Sequence, residues 1–177
     1  VNKINKNNNI KRQIAVQDSL KFLTDSSKIF RENIDTKIIA ITGSCGKTSL
    51  KELIAKTLKK ISKVTYSPKS FNNKFGVPLS LFNLNINDDY GIFEIGMDKK
   101  GEINNLSKIV KPDLAIITNI AAAHIKNFKN LKDIARAKSE IIDNTSKRGT
   151  IILNKDDSFF KFLQNKAIKK NIKVISF

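Results

Sequence analysis

The chain has 177 residues, 40% of them hydrophobic, which is enough for one domain with a full core and a doubly wound sheet. Its 33 Lys and Arg against 16 Asp and Glu give a formal net charge of +17. The excess is nearly all lysine, dispersed among Asn and Ile, with little Arg, no Trp and 2 Tyr, so guanidinium forks and stacking platforms are scarce and no nucleic-acid partner is expected. A single cysteine, Cys45, excludes an internal disulfide framework and a thiolate zinc cluster, and fits a reducing cytosol. No apolar run approaches a membrane span and the N-terminus lacks a signal-peptide core, so a cytoplasmic protein is expected. Residue 1 is Val, which reads as a processed or excised piece of a longer protein.

Residues 1–11 are polar and basic without periodicity and read as a tail or linker. Asp18 can cap a helix from Ser19 to Glu32, with Leu20, Leu23 and Phe30 on its apolar side. The segment Lys37–Thr42, KIIAIT, is short, apolar and β-branched, as suits a central parallel strand. Gly43 then permits a sharp turn into a helix. Amides of such a turn and helix start lack intrahelical partners and can converge on a phosphate, helped by the helix dipole. Lys47 adds a positive charge, and Thr48 a hydroxyl of the kind that holds Mg²⁺ on phosphate oxygens. Ile41 stands where the general P-loop pattern has its first glycine, so the fit is to a shorter form, T-G-S-x-G-K-T. The Lys-Thr pair behind an apolar strand favours nucleotide binding over a turn that merely contains two glycines.

A helix is expected over Thr48–Ile61, with Leu50, Leu53, Ile54, Leu58 and Ile61 facing the core. Lys63–Tyr66 returns as a second strand by a right-handed crossover. Ser67–Pro78 is a loop by composition, and from composition its Asn72 and Asn73 are turn chemistry. A helix after Pro78 carries Leu79, Leu81, Phe82 and Leu84. Tyr90–Ile95 is a strand whose oddity is Glu94: a carboxylate near the end of an apolar strand needs a partner, and strand ends face the ligand crevice in open α/β sheets. A Mg²⁺ ligand and a structural salt bridge both remain open for it.

Glu102–Val110 is a short helix, Asp113–Thr118 a buried strand, and Asn119–His124 a run of small residues ending in the single histidine. His124 is open between a structural hydrogen bond and a ligand role. A helix over Asn130–Thr145 turns Ile134, Ala137, Ile141 and Ile142 inward; Lys138 lies beside that stripe, where a lysine ordinarily snorkels to solvent, and Glu140 is close by. Strand Thr150–Leu153, a helix over Asp156–Ala167 and strand Lys173–Phe177 complete an α/β fold with a mostly parallel sheet.

Together the blocks ITGSCGKTSLKELIA, FNNKFGVPLSLFNL, FEIGMDKKGEI, PDLAIITNIAAAHIKNFKNLKDIARAKSEI and ILNKDD resemble the Mur ligase family, specifically its central ATPase domain. They span most of Ile38 to Asp157, and the second and third resemble the branch that adds D-alanyl-D-alanine to UDP-N-acetylmuramoyl-tripeptide. The resemblance implies a P-loop NTPase-like sheet flanked by helices over residues 37–177. It makes residues 1–36 a linker and helix leading from an N-terminal substrate domain. It implies ATP phosphates held by Gly43, Ser44, Cys45, Gly46, Lys47, Thr48 and Ser49, with Thr48 on a first Mg²⁺ and Glu94 and His124 on a second. Lys138 matches the lysine that the family carbamylates, giving an anion able to approach Mg²⁺. Lys47, Lys138 and His124 are then the catalytic candidates. Asn72 and Asn73 would border the reacting acyl group, and Asn119 the metal and phosphate region. The implied protein is a monomeric amide ligase working through an acyl phosphate.

Cys45 sits at the loop's variable position, where mainly backbone contacts leave phosphate binding little changed. The family's downstream HN-containing block and its flanking domains are not in this sequence, so the segment alone is not expected to catalyse. Three other readings stay open: a folylpolyglutamate- or cyanophycin-type ligase, a nucleotide-dependent switch suggested by the N-K-x-D-like string Asn154–Asp157, and a basic RNA-binding domain whose affinity would fall steeply with salt.

Overall fold

The computed structural model describes residues 14–122 and 127–177. Six strands, β1 (Lys37–Thr42), β2 (Val64–Tyr66), β3 (Tyr90–Glu94), β4 (Leu114–Ile117), β5 (Thr150–Leu153) and β6 (Lys173–Ser176), form one all-parallel sheet in the order β2-β3-β1-β4-β5-β6. From β1 the chain crosses to the edge strand β2, returns to β3 beside β1, and then builds the other side outward through β4, β5 and β6, so the order reverses beside β1. In such sheets that reversal opens a crevice at the strands' carboxyl ends. The loop after β1, Glu94 at the end of β3 and Thr118 and Asn119 after β4 all lie there.

Strand β1 is buried on both faces, and alternate residues divide between two cores. Ile39 and Ile41 pack with Ile92, Ile116 and the inner side of α2 (Lys47–Leu58). Ile38 and Ala40 join the larger core under α1 (Ser19–Glu32), α3 (Gly76–Leu81), α4 (Glu102–Val110), α5 (Leu131–Lys138), α6 (Glu140–Asp143) and α7 (Phe160–Lys169). Asp18 caps α1 as expected, accepting from the amides of Leu20 and Lys21 at 2.9 Å. Among the described residues no helix is long and apolar enough to cross a membrane.

Four helices depart from the sequence expectation, each for a local reason. Helix α2 stops at Leu58 and leaves Leu53 and Ile61 63% and 80% exposed. The sheet covers only the Leu50, Ile54 and Leu58 side, so an apolar stripe drawn to include Leu53 is too wide. The face it displaces holds Lys51, fully buried, which periodicity could not nominate. Helix α3 begins at Gly76, before Pro78, because Asn73 Oδ1 accepts from the amides of Phe75 and Gly76 and starts the turn early. Pro78 then lies in the first turn, where its missing amide costs no helical bond, and Leu79 and Phe82 turn outward. The helix expected over Asn130–Thr145 is two, broken at Ser139, whose carbonyl takes a 2.9 Å bond from Lys166 Nζ of α7. Helix α7 starts only at Phe160, since Asp157 closes a turn by accepting from Phe159 and Phe160.

Candidate functional site

The turn after β1 is shaped by two glycines at positive φ. Gly43, at φ +149°, lies so close to β4 that a Cβ there would stand 1.8 Å from Thr118 Oγ1. Gly46, at φ +79°, is the N-cap of α2 and supplies no side chain to close the helix, leaving its first amides facing the crevice. The loop's earlier amides are held from behind. Asn119 Oδ1 accepts from Ser44 N at 3.1 Å and Cys45 N at 3.0 Å, while Thr118 Oγ1 donates to the Cys45 carbonyl at 2.6 Å. Asn119 and Thr118 thus fix the loop from β4. The sequence reading placed Asn119 nearby, and passed over Thr118 as an ordinary strand end.

Two amino groups meet at one carbonyl. Lys47 Nζ donates to Gly43 O at 3.0 Å, and Lys138 Nζ, from the end of α5, donates to the same oxygen at 2.9 Å. Lys138 is 2% exposed, so it does not snorkel to solvent. Its amino group turns to the β1 loop instead. Burial, with the Lys47 charge adding to it, pushes the Lys138 amino group down from the ordinary 10.5 to about 7.

Opposite these cations lies Glu94, 1% exposed at the end of β3. Thr48 Oγ1 donates to its Oε2 at 2.7 Å and Asn72 Nδ2 to its Oε1 at 2.7 Å. Among the described residues both partners are neutral, which leaves a buried carboxylate beside a threonine hydroxyl. That oxygen pair suits a hard divalent cation such as Mg²⁺. No group of three or more His, Cys, Asp or Glu side chains that could hold a metal occurs among the described residues. His124, the remaining sequence-nominated ligand, lies outside the described residues. Lys138 and the Thr48–Glu94 pair therefore lie at one crevice; Asn73 lines the same cleft while its Oδ1 starts α3, and Ser49 lies in the first turn of α2.

A cleft of about 570 Å³ opens from this point, lined by Lys47, Asn72, Lys74, Met97, Glu102 and Lys138 among others. Its far wall is pinned by Glu140, whose two oxygens accept from Gly101 N at 2.9 Å and Asn104 N at 3.0 Å at the start of α4. The N-K-x-D-like string is committed elsewhere. Asp157 Oδ2 accepts from Ile120 N and Oδ1 from Phe159 N, so its carboxylate braces the segment after β4 instead of presenting itself to a base.

A family model for the Mur ligase middle domain matches residues 41–177. The chain belongs to the Mur ligase family. This Mur ligase domain is 41% identical over 147 residues to the UDP-N-acetylmuramoyl-tripeptide–D-alanyl-D-alanine ligase of Buchnera aphidicola, covering 83% of the chain and 32% of that relative. Among solved structures, MurF from Acinetobacter baumannii superposes with a TM-score of 0.88 at 34% identity, over 93% of the chain and 36% of that protein. The MurF ligase of Thermotoga maritima in complex with ADP gives 0.83 at 27% identity, over 98% and 40%. The chain spans about a third of the length of the curated relatives it matches.

Proposed function

We propose that this domain is the ATP and metal site of a cytoplasmic, monomeric amide ligase that joins D-alanyl-D-alanine to UDP-N-acetylmuramoyl-tripeptide. In this reading residues 37–177 belong to the central ATP-binding domain, and residues 1–36 lead into it from a substrate domain. The observation that carries it is the meeting of Lys47 and Lys138 at the Gly43 carbonyl on the wall of the cleft, where Asn72 of the same wall binds the Thr48–Glu94 pair. The names of the relatives supply the substrates.

The open amides at the start of α2 would take the β- and γ-phosphate oxygens, and the remaining loop residues, Gly43 to Gly46, would wrap them. Lys47 would leave the Gly43 carbonyl for the same oxygens, matching their charge as the γ-phosphoryl group moves to the tripeptide carboxylate and forms an acyl phosphate. Thr48, Glu94, His124 and carbamylated Lys138 would hold two Mg²⁺ ions. Bound there, Mg²⁺ supplies the neutralising charge that lets two anions approach. Carbamylation needs the neutral amine, and the lowered Lys138 amino group provides it near neutral pH. Asn72, fixed on Glu94, would border the acyl group, with Asn73 shaping the loop behind it. The dipeptide amine then attacks and phosphate leaves; no protein nucleophile is involved.

The test is phosphate release by the full-length enzyme with Mg-ATP and UDP-N-acetylmuramoyl-tripeptide, with and without D-alanyl-D-alanine. Release that depends on the dipeptide supports the assignment. Release indifferent to it, or none, overturns the substrate pair.

A further inference from the structure

Lys51 is fully buried, and nothing in the proposed chemistry uses it. It stands one turn beyond Lys47 on α2, and its stem runs inward under the loop that follows β2. Its amino group donates to the carbonyl of Ser67 at 2.8 Å and to that of Lys69, and Glu52 Oε1 lies at 3.5 Å. Two backbone carbonyls thus take its protons, a carboxylate stands at ion-pair distance, and the Tyr66 ring centroid closes the site at 5.9 Å.

The segment it grips has an irregular backbone. Lys69 is a non-glycine residue at φ +45°, a conformation that costs energy unless its surroundings impose it. Turns at Pro68–Phe71 and Ser70–Asn72 follow at once, closed by bonds of 3.1 and 2.8 Å. They deliver Asn72 to the crevice, where its carbonyl accepts from Gly96 N at 2.8 Å and its amide reaches Glu94. On the other side, Ser67 N donates to Ile92 O and Ser67 Oγ accepts from Glu94 N, so the same segment is registered on β3. One helix therefore carries the Lys47 and Thr48 side chains at its start and, a turn later, the anchor of the loop that presents Asn72.

We propose that Lys51 is a positioning residue that ties the nucleotide helix to the acyl-side loop, so that Asn72 is set by the same element that holds the phosphates. The buried carbonyl of Ser67 and the part-buried carbonyl of Lys69 depend on it. Replacing its amino group leaves them without a donor and frees Lys69 to relax out of the left-handed region, which withdraws Asn72. The proposal rests on the ligase reading for its catalytic consequence, though not for its structural one.

The test uses the full-length enzyme with Lys51→Met and, so that no single misfolded variant decides, Lys51→Gln, which keeps a neutral donor. Amide hydrogen exchange should quicken across residues 67–73 with β1 and α4 unchanged. In phosphate release, kcat should fall by about ten- to a hundredfold, as expected for a misplaced reacting group, while KM for ATP holds within about twofold. The double variant K51M/N72A should be no slower than N72A alone, because Lys51 acts through Asn72. Normal turnover, losses that add in the double variant, or exchange that rises evenly across the domain would each overturn the proposal. Should the wild-type enzyme show no dipeptide-dependent release, the ligase reading fails, and the exchange pattern alone decides whether Lys51 holds the loop.

Discussion

Replacing Lys138 by Met should stabilise this domain at neutral pH while removing a residue the proposed chemistry requires. The stem of Lys138 is buried and a thioether can fill its place. The Gly43 carbonyl is not orphaned by the change, because Lys47 Nζ still donates to it at 3.0 Å. Burial lowers the Lys138 amino group from 10.5 to about 7, so the folded state gives up its proton where the unfolded chain keeps it. Between those two values the unfolded state binds more protons, and the stability of the wild type rises with pH; below about 7 the full penalty applies. The gap corresponds to an upper bound on the order of 5 kcal/mol, which relaxation around the site will reduce. Urea unfolding of the wild-type and K138M chains in CO₂-free buffer from pH 6 to 9 measures it. The variant should be the more stable at pH 6, and its advantage should shrink by roughly 1.4 kcal/mol per pH unit above pH 7. Parallel stability curves, or a variant less stable at every pH, would refute the argument.

Lys47→Ala should weaken Mg-ATP binding by about ten- to a hundredfold, the worth of a charge-assisted contact, as read by calorimetry; unchanged affinity would contradict a phosphate role. Gly43→Ala should cost about 2–4 kcal/mol in thermal unfolding and loosen nucleotide binding, because the new methyl group collides with Thr118 Oγ1. Glu140→Ala removes the acceptor of two amides at the start of α4 and should cost about 1–3 kcal/mol in denaturant unfolding, with Glu140→Gln losing about half as much.

The strands and the phosphate loop could be read from sequence because their determinants are local. β-branched runs, paired glycines and a Lys-Thr dipeptide carry their meaning within a few residues, and β1, β3, β4 and β5 lie where those runs stand. The limits of the helices were less legible, since distant partners set them. Lys166 binds the carbonyl of Ser139, where the helix breaks, from 27 residues away, and the sheet decides which side of α2 is buried. Residue-level reasoning left Glu94 undecided between salt bridge and metal ligand; the neutral donors Thr48 and Asn72 were visible in sequence but not their approach to it. Lys138 and Lys51 share one difficulty. A lysine signals exposure, and only the carbonyls of Gly43, Ser67 and Lys69, brought together by the fold, make burial tolerable. The resemblance drew attention to Lys138 through its motif. Nothing comparable pointed to Lys51, Glu140 or Thr118.

The most direct measurement is a crystal structure of the full-length enzyme with Mg²⁺ and a non-hydrolysable ATP analogue. The account predicts phosphate oxygens against the amides at the start of α2 and within hydrogen-bond distance of Lys47 Nζ, with metal density beside Thr48 and Glu94. Nucleotide bound elsewhere, or at this loop with Lys47 still on the Gly43 carbonyl and no metal near Glu94, would contradict it.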